Sequence, residues 1–161
     1  MLPENKIYDN LLIMSDDNFL KEMETFFLAL ADKTRLRILN LMRESEVCVC
    51  FFTEVLGESQ PKISRHLAYL RGAGIVSSRR EGKWMHYKIE IPKNFHAAKI
   101  LQDTLEGLKS RESMRKDYEK FCSVCYATEI PVRIARAPKP YISPKPNISY
   151  QQREELDTFL L

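Results

Sequence analysis

The chain has 161 residues, 44% of them hydrophobic and 29% charged, with a formal net charge of +3. That length suits one packed domain with a tail, and the composition is that of an ordinary globular protein. No apolar run approaches the ~20 residues that cross a bilayer, so no membrane partner is expected. The opening MLPENKIYDN has neither the basic start nor the apolar core of a secretory signal. A reducing, cytoplasmic setting follows, in which four cysteines are expected to be thiols or metal ligands rather than structural disulfides.

The charge is unevenly spread. From Gln60 to Glu90 there are seven basic residues (Lys62, Arg65, Arg71, Arg79, Arg80, Lys83, Lys88) and two acidic ones, Glu81 and Glu90. From Met1 to Ala31 there are six acidic residues and two basic. A basic segment on a near-neutral chain points to a polyanion at one face, with a plain solvated surface as the competing reading.

In chain order, residues 1–15 read as an N-terminal arm. Asp16 to Ala31 reads as a helix, because Phe19, Met23, Phe26, Phe27 and Leu30 recur at three- and four-residue spacing. Asp32 offers an N-cap for a second helix with Leu36, Ile38, Leu39, Leu41 and Met42 as apolar positions. After the polar break Arg43–Glu46, a short third helix is expected over Cys50 to Leu56, stopped by Gly57. Ser59-Gln60-Pro61-Lys62 starts a fourth helix, since proline is tolerated in a first turn. Ile63, Leu67 and Leu70 form one of its faces, and Lys62, Arg65, Ala68 and Tyr69 lie on the other side.

Ile75–Arg80 and Trp84–Ile89 read as two strands joined at Arg80-Glu81-Gly82-Lys83. Alternation puts Met85, Tyr87 and Ile89 on one face and Trp84, His86 and Lys88 on the other. A long last helix is expected from Lys93 to about Phe121. Its stripe Leu101, Leu105, Leu108 suggests packing on another subunit, or on the chain's own first helix. Five prolines between Pro131 and Pro146 mark residues 127–161 as an extended C-terminal extension, with YQQREELDTFLL at its end as a short amphipathic helix.

The expected fold class is therefore mostly α with a small β-hairpin: a winged helix-turn-helix of order α-α-α-α-β-β-α over residues 16–126. An α-helix fits the DNA major groove, and its N-terminal, outward residues reach base edges. On this reading Gln60 reads adenine, Lys62 or Arg65 reads guanine, and Ser64 and His66 take phosphates or bases, with Tyr69 on the same outward side. Arg79, Arg80 and Lys83 in the wing suit phosphates or the minor groove, which adds affinity more than specificity. Trp84 reads as a hairpin anchor.

The stretches LADKTRLRILNLM, EVCVC, SQPKISRHLAYLRGAGIV and RREGKWMHYKI closely resemble the ArsR/SmtB winged-helix repressors, the arsenic-sensing branch in particular. The resemblance runs from about Phe26 to Phe121. It implies a homodimer joined through its first and last helices, bound to a palindromic double-stranded operator and released by an inducer. In the arsenic-sensing branch the inducer motif resembles C-x-C-x-x-C. Cys48 and Cys50 match its first two positions, and the third falls on Thr53.

That departure matters, because trivalent arsenic and antimony are thiophilic, and soft ions select sulfur over a hydroxyl. In a regular helix, residues two apart point ~200° apart, so Cys48 and Cys50 are expected to share an ion only if the third helix distorts. A helix N-terminus favours the thiolate. Cys122 and Cys125, a C-x-x-C pair only ~60° apart on a helix, are the expected completion, from the same subunit or its mate. One of them gives a trithiolate for As(III) or Sb(III), and both give a tetrahedral zinc site. Unrelated thiols, or a redox or persulfide switch, are the other readings. The zinc site that the family builds on its last helix is not expected, since Gly107 and Ser110 fall where ligands are needed. His66, His86 and His96 read as surface or DNA-contacting residues. No catalytic triad, phosphate-cradling loop or carboxylate pair stands out, so neither an enzyme nor a small organic substrate is expected. A thiol oxidoreductase would need a βαβ setting around Cys122 and Cys125. A protein-binding winged helix would not need the clustered basic residues.

Overall fold

The computed structural model describes residues 15–127 and 134–140. The N-terminal arm before Ser15 and the C-terminal amphipathic stretch lie outside the described residues. Helix α1 (Asp16–Leu30) carries Asp16 and Asp17 in its first turn, where negative charge favours the helix dipole. Its last carbonyls are met from outside: Arg35 donates from Nε to the Ala29 oxygen at 2.6 Å and from Nη2 to the Leu28 oxygen at 2.7 Å. Asp32 caps α2 (Lys33–Leu41) as expected, accepting the Arg35 backbone N–H at 2.9 Å.

A two-residue strand β1 (Val47–Cys48) leads directly into α3 (Val49–Leu56). Helix α3 ends at Gly57, whose φ of 67° is the left-handed value that glycine adopts without a Cβ clash. Helix α4 (Gln60–Gly72) follows after a short turn, with Ile63, Leu67 and Leu70 buried. Strands β2 (Val76–Glu81) and β3 (Trp84–Ile89) form the hairpin, and β3 is the middle strand of an antiparallel sheet ordered β1-β3-β2. The hairpin was legible from sequence, but the third strand was not. It pairs Val47 with Tyr87 and Cys48 with His86.

The expected single last helix is two. Asn94 caps α5 (Phe95–Lys109), and α6 (Glu112–Tyr126) starts afresh after Arg111, whose φ/ψ of −84°/135° is extended. The break falls among weak helix formers: Gly107 and Ser110 are neighbours there, and the Ser110 hydroxyl bonds the Gly107 carbonyl at 2.8 Å. The break turns α6 back onto its own chain. Arg37 grips Asp117 through two bonds of 2.6 and 2.8 Å, Asn40 donates to the Met114 carbonyl, and the Tyr118 hydroxyl bonds Glu44 at 2.8 Å. Leu101 is fully buried within the chain, whereas Leu20, Phe27 and Leu28 of α1 and Phe95 of α5 are at least half exposed. Among the described residues, no helix is long and apolar enough to cross a membrane.

Candidate nucleic-acid interface and thiol site

Helix α4 turns Gln60, Lys62 and Arg65 to solvent and leaves Ser64 half-buried. Lys62 pairs with Glu58 at 2.7 Å, one turn back. Arg65 has no ion pair with any described residue. Two of the expected contact residues also have partners inside the chain. His66 Nδ1 lies 3.5 Å from the capping carboxylate of Asp32, with only 15% of its side chain exposed. The Tyr69 ring lies under the Arg35 guanidinium, 4.5 Å from ring centroid to Cζ. Both contacts tie α4 to the α1–α2 junction; His66 is half-buried and Tyr69 exposed.

In the wing, Arg80 Nε bonds the Gly82 carbonyl across the turn, and Lys83 Nζ sits 4.9 Å over the Trp84 ring. Arg79 is held by Glu46 and Glu81, each at 2.6 Å, and these two carboxylates raise its already high pKa. His86 is only 4% exposed, flanked by Glu46 at 3.7 Å and Glu81 at 3.8 Å, so it is not the surface residue that strand alternation suggested. The reason is β1: a middle strand is covered on both sides, and nothing in a two-residue strand announces itself in sequence.

All four cysteines are reduced thiols. Cys48 does not lie within a helix. It is the N-cap of α3, with φ/ψ of −71°/141°. That extended backbone swings its side chain round, and the Cys50 thiol donates to Cys48 Sγ at 3.0 Å. The expected distortion of α3 is therefore unnecessary, because the strand-to-helix corner already brings the pair together. The bond from Cys50, aided by the backbone N–H groups of Cys50 and Val49 and opposed by burial, lowers the Cys48 pKa to about 7. Cys50, as donor to that sulfur and partly buried, is raised well above the ordinary thiol range. Thr53 spends its hydroxyl on the Cys50 carbonyl at 2.7 Å.

Helix α6 packs on α3. Lys120 Nζ bonds the Val55 carbonyl at 2.7 Å, and Phe121 meets Phe51 edge-on with centroids 6.2 Å apart. Tyr118, Phe121 and Cys125 form the buried stripe of α6. Cys125 is thus one turn beyond Phe121 on the same buried face. Burial, with Cys122 adding to it and Lys139 opposing, pushes the Cys125 thiol up to about 12. Cys122 is half-buried, on the side of Tyr118. Among the described residues no group of three or more His, Cys, Asp or Glu side chains is set to hold a metal ion. The two pairs are not assembled into one site.

This architecture defines a winged helix-turn-helix protein with a dithiol at the corner where the wing's sheet meets the helix ahead of the recognition helix. Residues 32–78 match the bacterial regulatory protein, arsR family model. Over 78 residues, 48% of this chain and 67% of the relative, the chain is 49% identical to the arsenical resistance operon repressor of Escherichia coli. It is 55% identical to the arsenic resistance transcriptional regulator ArsR1 of Pseudomonas putida over 69 residues, 41% of this chain and 54% of that one. Among solved structures, HlyU from Vibrio cholerae aligns with a TM-score of 0.49 at 26% identity, covering 61% of this chain and all of that one. The chain belongs to the ArsR family of bacterial regulatory proteins.

Proposed function

We propose that this chain is a cytoplasmic, homodimeric transcriptional repressor that leaves its operator when arsenite or antimonite binds Cys48, Cys50 and Cys125. The observation that carries this reading is the 3.0 Å contact of Cys48 and Cys50 at the β1–α3 corner. Three thiols condense with As(OH)₃ to give a trithiolate and three waters, the thiol protons leaving with the arsenic-bound hydroxyls. Cys125 supplies the third sulfur better than Cys122, because it shares the Phe121 face that packs on α3. Zinc would require all four thiols in a tetrahedron, and the outward-shifted Cys122 weighs against that. The names of the relatives in Escherichia coli and Pseudomonas putida support a metalloid inducer.

The release mechanism follows from connectivity. Cys48 is paired with His86 of the wing, and Cys50 lies on the helix packed against α4. Drawing Cys125 to the pair moves both DNA-contacting elements relative to each other, and a coupling of about 1–3 kcal/mol between the two sites weakens binding roughly 5–150-fold. Gln60, Lys62, Ser64 and Arg65 read bases and phosphates, Arg80 and Lys83 add phosphate contacts, and Arg79 joins them if DNA displaces its carboxylates. The exposed apolar residues of α1 and α5 support dimerisation through those two helices, residues 16–126 being the functional domain.

The sulfur contact also favours a second reading: a peroxide oxidises Cys48 and Cys50 to a disulfide, itself being reduced to water. Fluorescence anisotropy on promoter DNA separates the two, with arsenite added under reducing conditions and peroxide added without reductant. The metalloid reading expects arsenite to release the wild type and not Cys48→Ser, and peroxide alone to have no effect. It also expects Arg65→Ala to cost about 1–3 kcal/mol of DNA affinity. Arsenite without effect on the wild type would sink it.

A further inference from the structure

One row across the wing's sheet runs Cys48, His86, Arg79, a residue from each of β1, β3 and β2. At its outer end Arg79 is held twice. Glu46 accepts on one carboxylate oxygen from Nε at 2.7 Å and from Nη2 at 2.6 Å, and Glu81 accepts from Nη1 at 2.6 Å. The two acceptors belong to different parts of the chain. Glu81 lies two residues along β2 and moves with Arg79. Glu46 stands immediately before β1, two residues ahead of Cys48. Its neighbour Val47 is fully buried and paired with Tyr87, and the Glu46 carboxylate also lies 3.7 Å from His86 Nδ1. Two carboxylates around one guanidinium leave a negative charge in excess, which repels a phosphate. The Arg79 side chain is nevertheless exposed, and an exposed ion pair is weak enough for DNA phosphates to exchange it.

We propose that Glu46 is a positioning residue for DNA binding: its carboxylate withholds Arg79 from the phosphate backbone, and Arg79 reaches DNA only when Glu46 lets go. Glu46 is two residues from Cys48, so a metalloid at the β1–α3 corner holds β1, and the carboxylate with it, in the withholding position. DNA and inducer then oppose each other through one ion pair, as linkage requires of two ligands that favour different states. The inference rests on the reading of the wing as a DNA contact and of Cys48 as an inducer ligand.

The test is a double-mutant cycle of Glu46→Gln and Arg79→Ala in the full chain, read by fluorescence anisotropy on promoter DNA over a series of salt concentrations. Glu81→Gln serves as a second removal of one negative charge from the wing. Glu46→Gln should tighten binding about threefold, the scale of an exposed ion pair, and steepen the salt slope by about one. Arg79→Ala should abolish both gains. No tightening overturns the proposal. So does an equal gain in the Arg79→Ala background, which would be the plain effect of removing a charge near DNA. Glu81→Gln leaves Glu46 in place and should gain less; an equal gain would deny Glu46 its separate role. Arsenite added to the reduced proteins tests the link to the corner. The fall in DNA affinity should be at least about threefold smaller in Glu46→Gln than in the wild type, and the same fall in both overturns the link. A wild type that ignores arsenite would sink the metalloid reading and the link with it, while a positive cycle would leave the competition for Arg79 standing.

Discussion

Cys48 and Cys50 sit where a strand becomes a helix, whereas Cys122 and Cys125 sit on one regular helix. The first pair, two residues apart, is in sulfur-to-sulfur contact at 3.0 Å because Cys48 is extended, and its hydrogen bond brings one thiol down to about 7. The second pair has the spacing that suits a helix, yet burial drives Cys125 up to about 12. The difference teaches that spacing alone does not rank chelating pairs. A backbone corner can turn a poor helical spacing into a poised dithiol, and a good helical spacing can be spent on packing.

The largest effect should come from breaking the ring contact that packs α6, with its cysteine pair, on α3. Phe121→Ala removes a fully buried ring from against Phe51. It should cost about 3–5 kcal/mol in urea denaturation, while Cys122→Ser should change stability by less than about 1 kcal/mol. Next in size is inducer affinity. Cys48→Ser and Cys125→Ser should each weaken arsenite binding, measured by calorimetry, by at least about tenfold, as soft ions discriminate against a hydroxyl, and Cys122→Ser should leave it nearly unchanged. Thr53→Cys sharpens the comparison further, because it adds a thiol one turn after Cys50. Combined with Cys125→Ser, it should restore arsenite affinity, making the α6 pair dispensable for binding.

The smallest effect is a titration. The Cys48 thiol titrates at about 7 when folded, below its ordinary 9.0. Its thiolate therefore adds stability that is fully present above pH 9.0 and is lost as the pH falls through 7. Cys50→Ala removes the hydrogen-bond donor, so the midpoint of thiolate absorbance should move up toward 9.0. A midpoint unmoved by that change would mean the contact with Cys50 is not what poises Cys48.

The hydrophobic spacings of α1 to α4, the Asp32 cap, the Gly57 stop and the hairpin were all readable, because each is a local pattern with a local cause. What sequence reading missed depends on contacts between distant segments. Strand β1 exists because β3 offers it an edge, and it buries His86 and turns Cys48 out of the helix. The contacts of His66 with Asp32 and of Tyr69 with Arg35 join α4 to the start of α2. The break before α6 did leave a signal in Gly107 and Ser110, weak formers that the leucine stripe outweighed. For the thiol site, the ligand types were legible, and the corner that pairs two of them was not.

The most direct measurement is the number of sulfur atoms around bound arsenic, read by X-ray absorption at the arsenic edge in the full-length protein and in Cys125→Ser. The account expects three sulfurs in the wild type, and two sulfurs with one oxygen in the variant. Three sulfurs in both would mean that Cys122 or a partner subunit supplies the third ligand, contradicting the assignment of Cys125 to the inducer site.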